Sequence, residues 1–323
     1  MPIVNDCDEL QAHDASTVRP RVAILLSTYN GETFLRAQLN SLAAQEGVTV
    51  EVFARDDGSS DNTVDVLRSY AHLWPSLKSC EPNVNLGPAA SFLELLNTVP
   101  DNFDYYAFCD QDDVWMKDKL HRATDKLTTE AGERPGLYCS SSICVDRDLN
   151  PIGETLLRGS GRFEEIVFAN ITGGNTMVMN APAAELIRSR APGPGVIMHD
   201  WWCILVVSAL GVVICDKRPS IYYRQHQQNV FGSSPHRLSG LLLQLKQFLR
   251  DPRGFYRIHA QVAELLRQYG DRMAPRERKM AEAFVASRRS LFSRIRYAAF
   301  GRISRFDLLG EVGTRVLILV GLY

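Results

Sequence analysis

Residues 22–63, VAILLSTYNGETFLRAQLNSLAAQEGVTVEVFARDDGSSDNT, read as strand, helix, strand and turn in that order. VAILLS (22–27) is a continuous apolar run of strand length, and ETFLRAQLNSLAAQ (32–45) puts Leu35, Leu39 and Leu42 at helical spacing. VTVEVFARD (48–56) is rich in β-branched residues and ends in a turn whose Asp61 can cap a helix over TVDVLRSYA (63–71). One βαβ unit is thereby complete, and the alternation continues outward from it. EPNVNLGPAAS (81–91) is a loop, SFLELLNTV (91–99) a helix, and DYYAFCD (104–110) an apolar strand ending on acids. This order predicts an α/β fold with a mostly parallel central sheet covered on both faces, and ligands bind such sheets outside the carboxyl ends of the strands. Three loops leave strand ends with unusual polar content: STYNGE (27–32), RDDGSSD (55–61) and DQDD (110–113).

With 45% hydrophobic and 23% charged residues, the 323-residue chain can bury a sizeable core, which excludes a fibrous or mostly disordered protein. Lys and Arg number 36 against 37 Asp and Glu, so no global positive charge argues for nucleic acid as a partner. Seven scattered cysteines without a CxxC pair argue against a disulfide framework and a zinc ribbon, leaving a reducing compartment as the simpler expectation. Residues 1–19 read as a polar tail without the basic and apolar segments of a signal peptide, so the catalytic part is expected in the cytoplasm. Residues 20–235 carry the α/β pattern. Residues 236–323 form a helical region, with helices expected over LSGLLLQLKQFLR (238–250), GFYRIHAQVAELLRQYG (254–270) and PRERKMAEAFVASRRSLFSRIRYAAF (275–300). No run reaches the roughly 18 apolar residues that span a bilayer. The arginine-rich stretch Arg288–Arg305 and the apolar VLILVGLY (316–323) are compatible with peripheral contact at the inner face of the cytoplasmic membrane, or with helices closing over the catalytic domain.

Asp110, Asp112 and Asp113 at one strand end repel one another unless something positive is shared between them, and a hard cation such as Mg²⁺ or Mn²⁺ suits oxygen ligands that also hold phosphate. The plainer reading is a solvated turn capping a helix over VWMKDKLHRATDKL (114–127). Asp56 and Asp57 either build an Asx turn or face the same crevice. Tyr29, beside Ser27, can stack on a nucleobase. Gly173, Gly174 and Asn175 permit close approach of backbone to a ligand, or form a strand bulge. Arg224 and His226 can offer positive or metal-binding groups to a leaving diphosphate, or lie on a surface turn. Cys109 is expected to pack, and His121 to be solvated.

Taken together, STYNGETFL, RDDGSSDNT, NLGPAASF (85–92), DQDDVW (110–115), GGNTMVMN (173–180), HDWW (199–202) and YYRQHQQNVFG (222–232) resemble the family 2 glycosyltransferases, which share the nucleotide-sugar-binding GT-A fold. The likeness covers about residues 20–232. In detail the motifs are similar to the bacterial rhamnosyltransferase branch that builds O-antigen and related cell-envelope polysaccharides. The resemblance implies that Ser27, Tyr29 and Asp57 contact the nucleoside, that Asn85, Gly87 and Arg224 line the donor pocket, and that Asp110 and Asp112 form the DxD motif, with Asp112, Asp113 and His226 near the metal. Ser91 stands where many relatives have Asn. Asp200 matches the catalytic base, a role consistent with partial desolvation beside two tryptophans, although it can also cap its helix. Gly174, Asn175, Trp201 and Trp202 then lie on the acceptor side. The implied reaction is inverting transfer of L-rhamnose from dTDP-L-rhamnose to a hydroxyl of a polysaccharide or lipid-linked glycan. UDP-hexose or UDP-N-acetylhexosamine donors are the alternative, and a nucleotidyltransferase or a non-catalytic binding module are rivals from other classes. The absence of a QxxRW motif argues for single-sugar transfer.

Overall fold

In β1 (Arg21–Thr28) successive side chains go to opposite layers: Val22, Ile24 and Leu26 to one core, Ala23 and Leu25 to the other, and all five are fully buried. That two-sided burial is why the run is continuously apolar. The computed structural model describes residues 19–82, 84–190, 193, 196–226, 254–305 and 308–322. Beside β1 lie β2 (Thr49–Asp56), β3 (Leu77–Cys80), β4 (Tyr105–Cys109), β5 (Val114–Trp115), β6 (Gly136–Ser140), β7 (Ser142–Val145), β8 (Pro151–Thr155), β9 (Val178–Asn180), β10 (Val212–Asp216) and β11 (Ile221–Arg224).

The main sheet has the order β10-β6-β9-β4-β1-β2-β3 and is parallel except for β9, which runs antiparallel between β4 and β6. The order reverses beside β1, where β2 lies on one side and β4 on the other. This switch point opens a crevice at the strand carboxyl ends. α1 (Glu32–Ala43), α2 (Thr63–Leu73) and α4 (Lys119–Lys126) cover one face; α3 (Pro88–Thr98), α6 (Ala181–Arg188) and α7 (His199–Leu210) cover the other, and the short α5 (Phe163–Ile166) packs against α7. A second sheet, β5-β11-β7-β8, lies beyond the crevice; β11 pairs antiparallel with β5 and parallel with β7.

Three local expectations change. Residues 114–127 are not one helix: Val114 and Trp115 are drawn into β5 by Tyr222 and Ile221, and α4 starts only at Lys119. The stretch 275–300 divides into α9 (Pro275–Ser287) and α10 (Leu291–Phe300), because Ser290 caps a new helix by accepting from Ser293 N at 3.1 Å. Gly173–Asn175 do not form a strand bulge, since Gly174–Thr176 make a single 3₁₀ turn. α8 (Gly254–Tyr269) and α11 (Leu308–Leu319) complete the helices used below.

Ile258, Val262, Leu265 and Tyr269 of α8, Phe284 of α9, Tyr297 of α10 and Ile318 of α11 join the core that contains Trp202 and Phe168. The C-terminal helices thus pack on the α7 side of the sheet. The helix expected at 238–250 and the tail of residues 1–18 lie outside the described residues. No described helix is long and apolar enough to cross a membrane. The described cysteines are free thiols; Cys109 is fully buried, and His121 is exposed beside Asp125.

Candidate active site

The turn after β2 is built by Asp56, which accepts from Thr28 Oγ1 (2.9 Å), Gly58 N (3.1 Å), Ser59 N (2.8 Å) and Ser59 Oγ (2.6 Å). Its carboxylate is spent on holding the ends of β1 and β2 together. Asp57, also buried, pairs with Arg55 and accepts from Leu86 N (2.8 Å) and Gly87 N (2.7 Å), which ties the turn to the exposed loop carrying Asn85. Gly87, at φ +75°, adopts a conformation that favours glycine, and its N–H also reaches Asn85 Oδ1 (3.0 Å). Ser27 Oγ lies 2.7 Å from Ser91 Oγ, which accepts from Arg55 at 3.2 Å. Ser27, Asp57, Asn85 and Gly87 are therefore linked into one cluster at the carboxyl ends of β1 and β2, with Tyr29 half exposed. Sequence reading missed Gln111, whose side chain clasps the backbone of Tyr29 (N to Oε1 2.8 Å; Nε2 to O 2.9 Å) and ties the β1 loop to the acidic loop.

Within the acidic loop the three carboxylates differ. Burial, followed by the charges of Asp112 and Asp200, pushes Asp110 up to about 7, with Lys119 opposing. Asp200 is thus near enough for its charge to act on Asp110. Asp112 is partly exposed, and His226 Nε2 lies 2.8 Å from its Oδ2. Asp113, expected beside the metal, is instead wholly buried and acts as a bracket: Oδ1 accepts from Arg224 N (3.2 Å) and Oδ2 from Asn175 Nδ2 (2.6 Å). Burial and the two neighbouring acids raise its pKa well above the usual carboxylate range.

β11 delivers the opposing groups. Because Tyr222 pairs with Val114, Arg224 arrives beside the acidic loop, donates through Nε to Asp112 O (2.9 Å) and through Nη1 to Arg147 O, and lies 4.5 Å over the Phe34 ring. His226 packs 5.0 Å from the same ring. Lys119, also missed from sequence, is wholly buried with its ammonium 3.6 Å over Trp115, donates to Asn175 O, and is pulled down to about 7 chiefly by burial. Among the described residues no three His, Cys, Asp or Glu side chains form a preassembled metal cage. Asp112 with His226, and Asp110 alongside, fit a Mg²⁺ or Mn²⁺ ion that takes its remaining ligands from diphosphate and water, the usual habit of Mg²⁺.

On the far wall, Met198 is the N-cap of α7, so Asp200 lies within the first turn rather than capping it; its Oδ1 accepts from Trp201 N (2.6 Å). A carboxylate there is favoured by the helix dipole. The bend at Gly174 is needed for this wall: a Cβ would come 2.6 Å from His199 Nε2 and 3.3 Å from Asp200 Cβ. Trp201 is partly exposed and donates its indole N–H to Ile166 O (2.8 Å). Trp202, expected on the acceptor side, is fully buried in the hydrophobic core and offers no surface to a sugar. The two rings diverge because neighbours on a helix differ by about 100°.

His199 stacks on Phe92 at 4.2 Å and meets Phe108 edge-on at 4.8 Å, with both ring nitrogens unpartnered. Burial pulls its pKa down to about 4, opposed in part by Asp200. Since the unfolded chain binds this proton more readily, the contribution to stability is present above pH 6.5 and lost as pH falls towards 4. Relative to His199→Phe, which keeps a ring but cannot titrate, the wild type should lose about 3 kcal/mol across that window. Urea unfolding of both proteins at pH 7 and pH 4.5 checks this; a constant gap would contradict it.

Residues 23–141 match the family described as Glycosyl transferase family 2. The chain is similar to the dTDP-rhamnosyl transferase RfbG of Shigella flexneri, 28% identical over 221 residues, covering 65% of this chain and 74% of that protein. Its fold is similar to S. aureus TarS 1-349 in complex with UDP-GlcNAc (TM-score 0.58, 16% identity, 93% and 81% of the two chains). It is also similar to the Pyrobaculum calidifontis mannosyltransferase PcManGT in complex with GDP-Man and Mn²⁺ (TM-score 0.51, 19% identity, 95% and 82%). Residues 23–141 thus match a family 2 glycosyltransferase domain, and the fold is similar to that of these solved structures.

Proposed function

We propose that this family 2 glycosyltransferase domain transfers L-rhamnose from dTDP-L-rhamnose, with inversion, to a hydroxyl of a lipid-linked or cell-surface glycan at the cytoplasmic side of the membrane. The observation that carries the reading is that the Asp110–Asp112–His226 group at the strand ends has Asp200, in the first turn of α7, near enough for its charge to act on Asp110. The 28% identity to a dTDP-rhamnosyl transferase supports the choice of donor. We take residues 20–235 as the catalytic unit, and the described helices from residue 254 onward pack against it.

Ser27, Asp57, Asn85 and Gly87 border the space for the nucleoside, and Tyr29 at the rim supplies a ring to stack on the base. Asp110, Asp112 and His226 would hold a divalent cation, which would supply positive charge to a departing diphosphate. The Arg224 guanidinium, fixed by Asp112 O and Phe34, adds positive potential at the same end. Asp200 takes the proton from the acceptor hydroxyl as its oxygen bonds to the anomeric carbon, while the bond from that carbon to the diphosphate oxygen breaks on the opposite face. Trp201 and the Gly174–Asn175 turn flank the acceptor's approach. A nucleotidyltransferase has no need of a base placed across from the diphosphate.

Calorimetric titration with dTDP-rhamnose, UDP-glucose and UDP-N-acetylglucosamine, each with Mg²⁺, Mn²⁺ or EDTA, tests the reading. Metal-supported preference for dTDP-rhamnose is expected, with affinity falling about tenfold or more in EDTA and in Asp112→Asn. Preference for a UDP-sugar overturns the rhamnose assignment, affinity unchanged by EDTA overturns the metal, and release of pyrophosphate on turnover overturns glycosyl transfer.

A further inference from the structure

We propose that α10 and α11, with the groove between α9 and α10, form a docking face for an anionic lipid bilayer. The two helices lie antiparallel: Arg315 on α11 donates to Ala298 O on α10 (2.5 Å), and the Arg294 guanidinium lies against Gly321 just past the end of α11. Each helix buries one face, Tyr297 and Ala298 from one and Thr314 and Ile318 from the other. Each turns an apolar stripe outward. On α10 the exposed residues are Leu291, Phe292, Ile295 and Phe300, with Phe292 74% and Phe300 86% exposed. On α11 they are Leu308, Val312 and Val316, with Val320 just past its end, spaced by four residues along one slowly winding ridge. Single exposed apolar residues are ordinary, but two adjacent helices each showing such a stripe to water mark an interaction surface.

The charge around the patch selects the partner. Residues 283–306 contain six arginines and no acid. Arg288, Arg289, Arg296 and Arg302 are exposed beside the stripes. A groove of about 490 Å³ between α9 and α10 is lined by Arg276, Lys279, Arg296 and Arg302 together with Met280 and Phe300. Basic heads over an apolar floor match a surface in which anionic phosphates overlie acyl chains, and interfacial helices use this division of faces. The patch is also mechanically joined to the acceptor wall: Phe284 packs on Tyr297 (5.8 Å) and on Phe168 (5.3 Å), Arg305 donates to Phe168 O, and Trp201 next to Asp200 donates to Ile166 O. A bilayer seated on α10 and α11 therefore lies on the Asp200 side of the molecule, whichever sugar is transferred.

The full chain is sedimented with phosphatidylcholine vesicles, with and without phosphatidylglycerol, beside the Phe292→Ser/Phe300→Ser double variant. Both changed side chains are exposed, so the variant retains the fold, which its unchanged affinity for the nucleotide-sugar donor verifies. Wild type is expected to bind phosphatidylglycerol vesicles and to lose about tenfold or more in partitioning in the double variant, with a comparable loss at high salt. Equal binding to both vesicle types, or partitioning unaffected by the double substitution, overturns the proposal. So does a dimer in light scattering that the double variant dissociates, which assigns the patch to a second copy of the chain. Vesicle binding is read without substrate, so its failure is distinguishable from failure of the donor assignment.

Discussion

Asp200→Asn is expected to lower kcat by about 10³-fold while leaving donor affinity within about twofold, because general-base assistance typically contributes 10²–10⁴-fold and the amide cannot take the acceptor proton. The exchange is nearly isosteric. Asn Oδ1 can still accept from Trp201 N, so the first turn of α7 is preserved. The field on Asp110 changes as well: loss of the Asp200 charge removes one of the influences that raise it, which if anything eases binding of a cation and diphosphate. Steady-state turnover with calorimetric donor binding separates the two effects. Full turnover in the variant would move the base elsewhere in the crevice.

One position along, Trp202→Ala should destabilise the fold by about 3–5 kcal/mol, the usual cost of removing a large aromatic from a well-packed core. Trp202 is fully buried and packs near Tyr269 of α8, so the cavity would open where the sheet-covering helix meets the C-terminal helices. Its indole N–H has no partner, so Trp202→Phe removes an unsatisfied donor along with volume and should cost less than the alanine change. Urea unfolding followed by circular dichroism measures both. A loss below about 1 kcal/mol for the alanine variant would mean that α7 and α8 are not tightly packed. Adjacent residues on one helix thus carry opposite expectations, one read in turnover and the other in stability.

The neighbouring pair also marks where sequence reading stops. Apart from the four-residue β3, which the sequence reading did not mark, the strands and helices of residues 21–109 were legible because each apolar run has a single consistent period and is bounded by turn residues. The loops with Asp57, Asp110 and Asp112 were legible because clustered acids at strand ends need a reason. Trp201 and Trp202 look equivalent as letters, and only the angle at which α7 lies on the sheet separates the partly exposed ring from the buried one. β5 was read as the start of a helix since two residues carry no period, and its partner in β11 is more than a hundred positions away. Lys119 and Gln111 were passed over for a related reason. A lysine in a charged stretch and a glutamine between aspartates are ordinary on a surface, and their work becomes visible only when Asn175 and Tyr29 are brought beside them. Asp113 was indistinguishable from its neighbours until Arg224 and Asn175 were seen to occupy its oxygens.

The pairing of β5 with β11 has a consequence for the order of events during synthesis. Asp112 and Asp113 emerge from the ribosome early, but His226, Asn175 and Arg224, which engage them, follow 114, 62 and 111 residues later. Until then the half-formed crevice holds a cluster of like charges opposed by Lys119, whose own anchor is Asn175 O. The pairing of β1 with β2 joins near segments of residues 21–56 and can form first, whereas closing the second sheet requires a long loop to be ordered. Donor-binding capacity is therefore expected to appear late and abruptly on the nascent chain, after β11 has docked, rather than to accumulate as each motif is completed.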